Sequence, residues 1–140
     1  TERTIQFIGE KRAAHMYPIG SMHASGAMVA FGSDWSVSSA NPFEQIEVAV
    51  RRADSATPDG AVFLPDQRLP LPAAIAAFTI NAAYVNGMEG EVGSIEVGKR
   101  ADLAVLDQNL FAIDPRAISD TKVLLTLFEG KPVHGEPGRL

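Results

Sequence analysis

The sequence predicts an α/β fold on three observations. Residues 27–31 form a short, wholly apolar run, which is the length and composition of a strand buried on both faces. Two longer segments, 42–54 and 72–87, combine proline in the first turn with apolar residues at helical spacing. Residues 103–106 and 123–128 are again strand-like. We therefore expect helix, buried strand and two further helices, followed by a small β portion.

The segment before the buried strand, residues 11–26, has apolar residues at helical spacing that Pro18 interrupts. Two short helices or one kinked helix fit this pattern, with an end at Gly26, where a left-handed cap costs little. After the strand, Asn41 followed by proline is a typical helix start. This helix is expected to end near Asp54.

The proline-rich stretch from residue 55 to the next helix predicts an ordered loop. The alanine-rich segment 72–87 then gives the strongest helix prediction, and its small residues allow close packing against a neighbour. Residues 129 and 130 predict a turn from strand 123–128 into residues 132–134, which together form a hairpin.

Composition and charge restrict the classes of function. The chain of 140 residues is 46% hydrophobic and 21% charged, which indicates an ordered globular domain. Its net charge of −5 argues against a nucleic-acid partner, because such binding needs a basic patch. No apolar run approaches the ~20 residues that span a bilayer, so we expect no membrane partner and, by default, a cytoplasmic location. The lack of cysteine excludes disulfides, thiolate zinc ligands and cysteine nucleophiles.

Asp34 closes the apolar run, directly after Gly32 and Ser33. Such a strand is similar to a strand of an α/β barrel, in which the carboxyl end carries catalytic side chains. The alternative is that Asp34 caps the following turn through Asx-type hydrogen bonds, and the local pattern alone favours this alternative. Ser33 lacks the Gly-x-Ser-x-Gly context and a positioned histidine, so it does not indicate a catalytic triad.

Two other polar motifs have structural interpretations. Gly98 and Lys99 do not have the spacing of a phosphate-binding loop, and they predict a tight turn into strand 102–106. Arg51 and Arg52 stand at the end of a helix, and we expect both to be solvated.

Three stretches carry a family resemblance. The first stretch, residues 9–35, ends in Gly-Ser-Asp-Trp. The second, residues 65–107, contains a predicted helix with Thr-x-Asn-x-Ala and then the motif Gly-Ser-Ile-x-x-Gly-Lys-x-Ala-Asp-Leu. The third, residues 121–134, is the predicted hairpin. In this order and spacing they resemble the carboxyl-terminal part of the amidohydrolase superfamily, in the family-3 branch of metal-dependent hydrolases. The resemblance covers nearly all of the chain.

The resemblance implies a (β/α)8 barrel with a small β-sandwich built from both ends of the full chain. Residues 1–90 would be the carboxyl-terminal end of the barrel, with its last strand at 27–33, and residues 91–140 would be a segment of the sandwich. A complete barrel takes ~250 residues, and Thr1 is not an initiating methionine. We therefore expect the chain to be a carboxyl-terminal fragment of a longer protein.

The resemblance also implies a chemistry. Asp34 matches the eighth-strand aspartate, which in the family contacts the metal or its water and transfers protons. The parent protein would then hydrolyse a C–N bond of a small-molecule amide, imide or N-acyl substrate with a divalent metal, most simply zinc. Ser33 and Trp35 are candidate substrate-pocket residues, although a core or rim position is the commoner one for a tryptophan. Ser36 stands where relatives commonly carry proline.

The other metal ligands of the family are not encoded in this chain. His15 and His23 precede the strand on predicted helices and His134 lies in the hairpin, and none of them forms a His-x-His pair. The isolated fragment is therefore expected to be inactive. The alternative function is a non-catalytic structural or regulatory module that retains the scaffold.

A lone barrel strand would expose two unpaired edges. We expect the helices to repack around the terminal strands, or the chain to form homo-oligomers through residues 27–31.

Overall fold

The computed structural model describes residues 2–57 and 59–139. Six helices come first along the chain and three strands follow, and within the described ranges no helix is long and apolar enough to cross a bilayer. The helices are α1 (Glu2–Ile8), α2 (Glu10–Ala13), α3 (Ile19–Ala24), α4 (Pro42–Arg51), α5 (Leu71–Phe78) and α6 (Ile80–Val85), and the strands are β1 (Leu103–Leu106), β2 (Val123–Phe128) and β3 (Lys131–His134).

The helices before the apolar run are short, and Pro18 immediately precedes α3 as expected. Gly26 follows the end of α3 with φ of +83°, the left-handed conformation predicted for it. Helix α4 begins at the predicted cap, because the Asn41 Oδ1 accepts a hydrogen bond of 3.1 Å from the Phe43 N–H. It ends before the expected end near Asp54.

Arg52 explains the early end of α4 and corrects the prediction that it is solvated. It adopts φ of +59°, and only 8% of the residue is exposed. Its guanidinium lies 5.8 Å from the centre of the Phe63 ring, and its Nε donates to the Phe63 carbonyl at 3.1 Å. Burial lowers the pKa of Arg52. The folded-back loop after α4 thus covers a residue that the local sequence places at the surface.

The alanine-rich segment is two helices rather than the single helix predicted over 72–87. The break is at Thr79, whose φ and ψ of −121° and −98° lie outside the helical region. Its hydroxyl donates to the Ile75 carbonyl at 2.9 Å, a local bond that competes with the helical ladder. Gly93 packs against the break, and a Cβ there would lie 2.9 Å from the Ile80 Cα and 2.8 Å from the Ala83 Cβ.

Replacing Gly93 with alanine should therefore be strongly destabilising. Its φ of +90° disfavours any side chain by about 1–2 kcal/mol, and the two close contacts add to that penalty. Gly98 is a matched control, since its φ is +96° but a Cβ added there would meet nothing within 4 Å. Urea unfolding should show a larger loss for Gly93→Ala than for Gly98→Ala. Equal losses would mean that the packing at the break contributes nothing.

The sheet follows the prediction closely. Strands β1 and β2 occupy the predicted residues, and β3 completes the predicted hairpin. The order is β1-β2-β3 with antiparallel neighbours, so that Leu103 pairs with Leu127 and Thr126 with His134. Within the described residues this is one three-stranded sheet, without a second sheet packed on it.

The predicted strand at 27–33 is not a strand in this structure. The segment forms no ladder with any strand of residues 2–57 and 59–139. The physical reason is that a strand needs a neighbouring strand to pair its backbone hydrogen-bonding groups. An apolar sequence pattern indicates only that the side chains favour burial, and it does not supply that neighbour. Here helices α5 and α6 contact the segment instead.

The core joins α4 and α5 to the sheet and to the connection between β1 and β2. This agrees with the expected packing of helices around the terminal strands, while association through residues 27–31 stays a prediction that light scattering can test. The buried core residues are Phe43, Ile46, Ala49, Leu69, Ala74, Leu110 and Ile118.

Glu47 is a fully buried charged residue on α4, the helix that supplies much of this core. Glu47 is 0% exposed; it is paired with Arg51 on the next turn of α4, and its Oε2 accepts from the Ser119 N–H at 2.8 Å. Arg51 is thus ion-paired, which corrects the prediction of a solvated helix end. Glu47 connects α4 to the loop that leads into β2.

Candidate active site

The site is built on the extended segment that precedes Asp34. Two hydrogen bonds attach this segment to the helices: the Phe31 N–H donates to the Ala77 carbonyl at 2.9 Å, and the Asn81 Nδ2 donates to the Val29 carbonyl at 2.8 Å. The rings of Phe31 and Phe78 meet edge to face, with their centres 5.5 Å apart. Residues 29–31 are therefore half-buried against α5 and α6, whereas Ala27 and Met28 are exposed, so the predicted burial of the run on both faces is wrong in this structure.

Asp34 lies at the end of this segment and is exposed. Its backbone has φ of +52°, the left-handed conformation that aspartate tolerates better than most residues. Its main-chain carbonyl accepts from the Val37 N–H at 2.7 Å and starts a turn. Its carboxylate makes no hydrogen bond or ion pair with any residue of 2–57 or 59–139.

The turn-capping alternative for Asp34 is therefore wrong in this structure, because an Asx cap needs its carboxylate as acceptor. Ser33 performs that role: its Oγ accepts from the Trp35 N–H at 3.3 Å. The Ser38 hydroxyl also donates to the Ser33 carbonyl. The serine-rich turn thus holds itself together and leaves the carboxylate available to an external group.

Trp35 stands beside this carboxylate and is 73% exposed. The peptide bond from Trp35 to Ser36 is cis. A core position for the indole is excluded in this chain, so the rim and pocket-wall interpretations remain. The indole therefore lies at the surface beside the Asp34 residue.

The described residues supply few metal ligands. Across residues 2–57 and 59–139 no three His, Cys, Asp or Glu side chains gather into a group that could hold an ion. His15 and His23 are exposed on and beside the short helices, and the ring Nε2 of His134 lies 3.1 Å from the Val123 carbonyl. Asp34 could contribute one oxygen ligand.

A groove of about 730 Å³ lies elsewhere, between α4, the α5–α6 break and β1. Its walls are mainly apolar and include Phe43, Phe78 and Leu103. Neither Asp34 nor its neighbours line it. The described chain therefore contains one end of a candidate catalytic site but not an enclosed substrate cavity around it.

Asp34 stays a predicted site residue, and the sequence did not single out Asn81, which holds the segment before it. The signal for Asn81 was its place in the Thr-x-Asn-x-Ala stretch, but a polar residue near the start of a helix turn normally points to water. Only the fold brings its amide to the backbone of residue 29.

Comparison with protein families gives one match that covers nearly the whole chain. The family described as "Amidohydrolase family" matches residues 2–134. No solved structure is significantly similar to the chain.

Three curated relatives show the extent of the likeness. The N-substituted formamide deformylase of Arthrobacter pascens is 35% identical over 82% of this chain and 21% of its own length. Protein LONG AFTER FAR-RED 3 of Arabidopsis thaliana is 33% identical over 91% of this chain and 21% of its own. The 5-methylthioadenosine/S-adenosylhomocysteine deaminase of Symbiobacterium thermophilum is 32% identical over 89% of this chain and 30% of its own length. The chain thus spans between about a fifth and a third of the length of these relatives.

Proposed function

The chain belongs to the amidohydrolase family, in its family-3 branch, and we propose that the full-length protein hydrolyses a C–N bond with a metal-activated water. The matched relatives include a deformylase and deaminases, names that describe cleavage of bonds from carbon to nitrogen. The proposed reaction adds the oxygen of water to a carbonyl or amidine carbon and breaks its bond to nitrogen. The nitrogen leaves with a proton.

We assign the proton transfer to Asp34. The observation that supports this role is that its carboxylate is exposed and has no partner in the described chain, while backbone and serine groups fix the turn around it. A carboxylate in that state accepts a proton from the attacking water and gives it to the departing nitrogen. In barrel enzymes catalytic residues stand at the carboxyl ends of the strands, and we propose that the apolar segment before Asp34 is such a strand in the full-length protein.

The amidohydrolase family generally uses a divalent metal. The described residues include a ligand of a suitable type for such an ion, but they do not supply enough ligands to hold it. Asp34 offers an oxygen donor, whereas a catalytic zinc site needs about three protein ligands. A bound divalent ion lowers the pKa of water towards ~7. The remaining ligands must come from parts of the protein outside these 140 residues, and we propose zinc as the ion.

Ser33 and Trp35 are proposed as substrate-pocket residues. The Trp35 ring is exposed next to Asp34 and offers an apolar face to a small amide, imide or N-acyl compound. Ser33 holds the turn that presents both neighbours.

Metal analysis of the full-length protein tests the proposal most directly. We expect about one or two equivalents of a divalent metal and hydrolysis of a panel of N-formyl, N-acyl and cyclic imide compounds, which chelation abolishes and zinc restores. The 140 residues alone should bind no metal tightly and show no hydrolysis. A metal-free full-length protein that is inactive with zinc would refute the proposal.

The alternative is a structural or regulatory module that keeps the scaffold without the reaction. The name of one relative, Protein LONG AFTER FAR-RED 3, states no reaction, so it is compatible with either candidate. The sequence of the full-length protein before these residues distinguishes the two candidate functions. A His-x-His pair after an apolar strand would favour the enzyme, and the loss of that pair would favour the structural or regulatory module.

A further inference from the structure

We propose that Ser39 is a positioning residue: its hydroxyl and carbonyl join the start of α4 to residues 34–38 and so fix where Asp34 stands. We call residues 34–38 the Asp34 turn. This inference rests on the proposed function, because it names a second residue that the same reaction needs. The bonds that carry it lie within residues 34–45. None of them uses a backbone group of residues 27–33, so they are independent of any strand that pairs with that segment in the full-length protein.

The link is a modified capping box at the start of α4. In an ordinary capping box, a glutamate at the third helical position accepts directly from the backbone N–H of the cap residue. Here Asn41 is the cap and Glu44 is the third helical residue, but Ser39 lies between them. The Ser39 Oγ accepts from the Asn41 N–H at 3.2 Å, and the hydroxyl donates to the Glu44 Oε1 at 3.0 Å. The box therefore reaches back into the loop instead of closing on the helix.

A second side chain of α4 holds the same residue. The Gln45 Nε2 donates to the Ser39 carbonyl at 2.9 Å, so the hydroxyl and the carbonyl of Ser39 are both bound to the start of the helix. The helix is itself fixed, because Phe43 and Ile46 are buried in the core. Ser39 is half-buried, whereas the Asp34 turn is exposed. Ser39 is thus the point at which the exposed turn meets the packed part of the fold.

Ser39 acts on Asp34 through the turn between them. The Asp34 carbonyl accepts from the Val37 N–H at 2.7 Å, and this bond closes the turn. Ser39 follows the turn directly. Because the turn is closed, a shift of Ser39 moves Asp34 and Trp35 with it. A misplacement of ~1 Å at a reacting group is enough to lower a rate by about two orders of magnitude.

The test compares Ser39→Ala with Ser94→Ala in the full-length protein. Ser94 is the matched control, because it is also half-buried and its hydroxyl also donates to a glutamate, Glu96. We expect Ser39→Ala to lower kcat at least ~10-fold and to speed hydrogen exchange of the Asp34 turn at least about threefold. Ser94→Ala should change neither quantity.

Hydrogen exchange in α4 separates positioning from simple stabilisation of the helix. In Ser39→Ala it should change less than about twofold, because Glu44 can then accept directly from the Asn41 N–H as in an ordinary capping box. Ser39→Thr keeps the hydroxyl and should retain the kcat and the exchange rates of the wild type. Equal acceleration in α4 and in the Asp34 turn would overturn the inference, since Ser39 would then act only as a helix cap. Wild-type exchange of the turn in Ser39→Ala would overturn it as well.

The activity outcomes separate the inference from the proposed function. Loss of turnover in Asp34→Asn together with wild-type kcat in Ser39→Ala would overturn the positioning role and leave the proposed function standing. Full turnover in Asp34→Asn would overturn the proposed function, and the positioning role with it.

Discussion

Replacing Asp34 with asparagine in the full-length protein is expected to lower kcat by roughly 10²- to 10⁴-fold, the usual contribution of a positioned acid or base. Asparagine keeps the size and the left-handed tolerance of aspartate, which matters at φ of +52°. It cannot accept the proton of the attacking water. Since the carboxylate makes no bond within the described chain, its removal should leave the fold unchanged.

The control for this experiment is Asp66→Asn. Asp66 is also exposed, and it lies in the short helical turn of residues 65–67. Steady-state kinetics should show wild-type turnover for it, and circular dichroism should show the same fold for both variants. If Asp34→Asn retains full turnover, its carboxylate has no part in the reaction.

The largest effect on stability is expected from Glu47→Ala. This change leaves Arg51 and the Ser119 N–H without the carboxylate that each contacts. Breaking one side of a buried ion pair typically costs about 3–5 kcal/mol, so the free energy of unfolding should fall by about that amount. Urea or thermal unfolding measures the change.

Two further variants define the cause. Glu47→Gln should lie between wild type and Glu47→Ala, because an amide oxygen can still accept from Ser119 although the charge is lost. Glu96→Ala removes a pair with Lys99 in which the Glu96 side chain is 62% exposed, and it should cost much less stability than Glu47→Ala because water screens an exposed carboxylate. A large loss in Glu96→Ala and a small one in Glu47→Ala would contradict the assignment.

Local patterns were sufficient wherever neighbours in sequence decide the structure. The Asn41 cap and the left-handed Gly26 depend on contacts within a few residues, and the limits of β1 and β2 follow two short apolar runs. The family resemblance, now confirmed, rests on the order of short motifs along the chain.

Sequence patterns gave wrong predictions where residues distant along the chain determine the contacts of a segment. The segment 27–33 has the composition of a strand, but its hydrogen-bond partners here are helical. The long alanine-rich helix breaks at Thr79, where a hydroxyl and a packed glycine oppose the intrinsic helix propensity of alanine. Arg52 is buried because a loop eleven residues further on folds back over it.

By itself the sequence determined the family, the α/β class and the acid at the end of the apolar run, because these depend on residue type and spacing. The tertiary structure alone decided that the carboxylate of this acid stays unbonded within the described chain and which residues hold its segment. The bond from Asn81 spans 52 residues and the one from Glu47 spans 72. Hydrogen bonds require atoms to be near in space, and no local pattern records which distant atoms folding brings within about 3 Å.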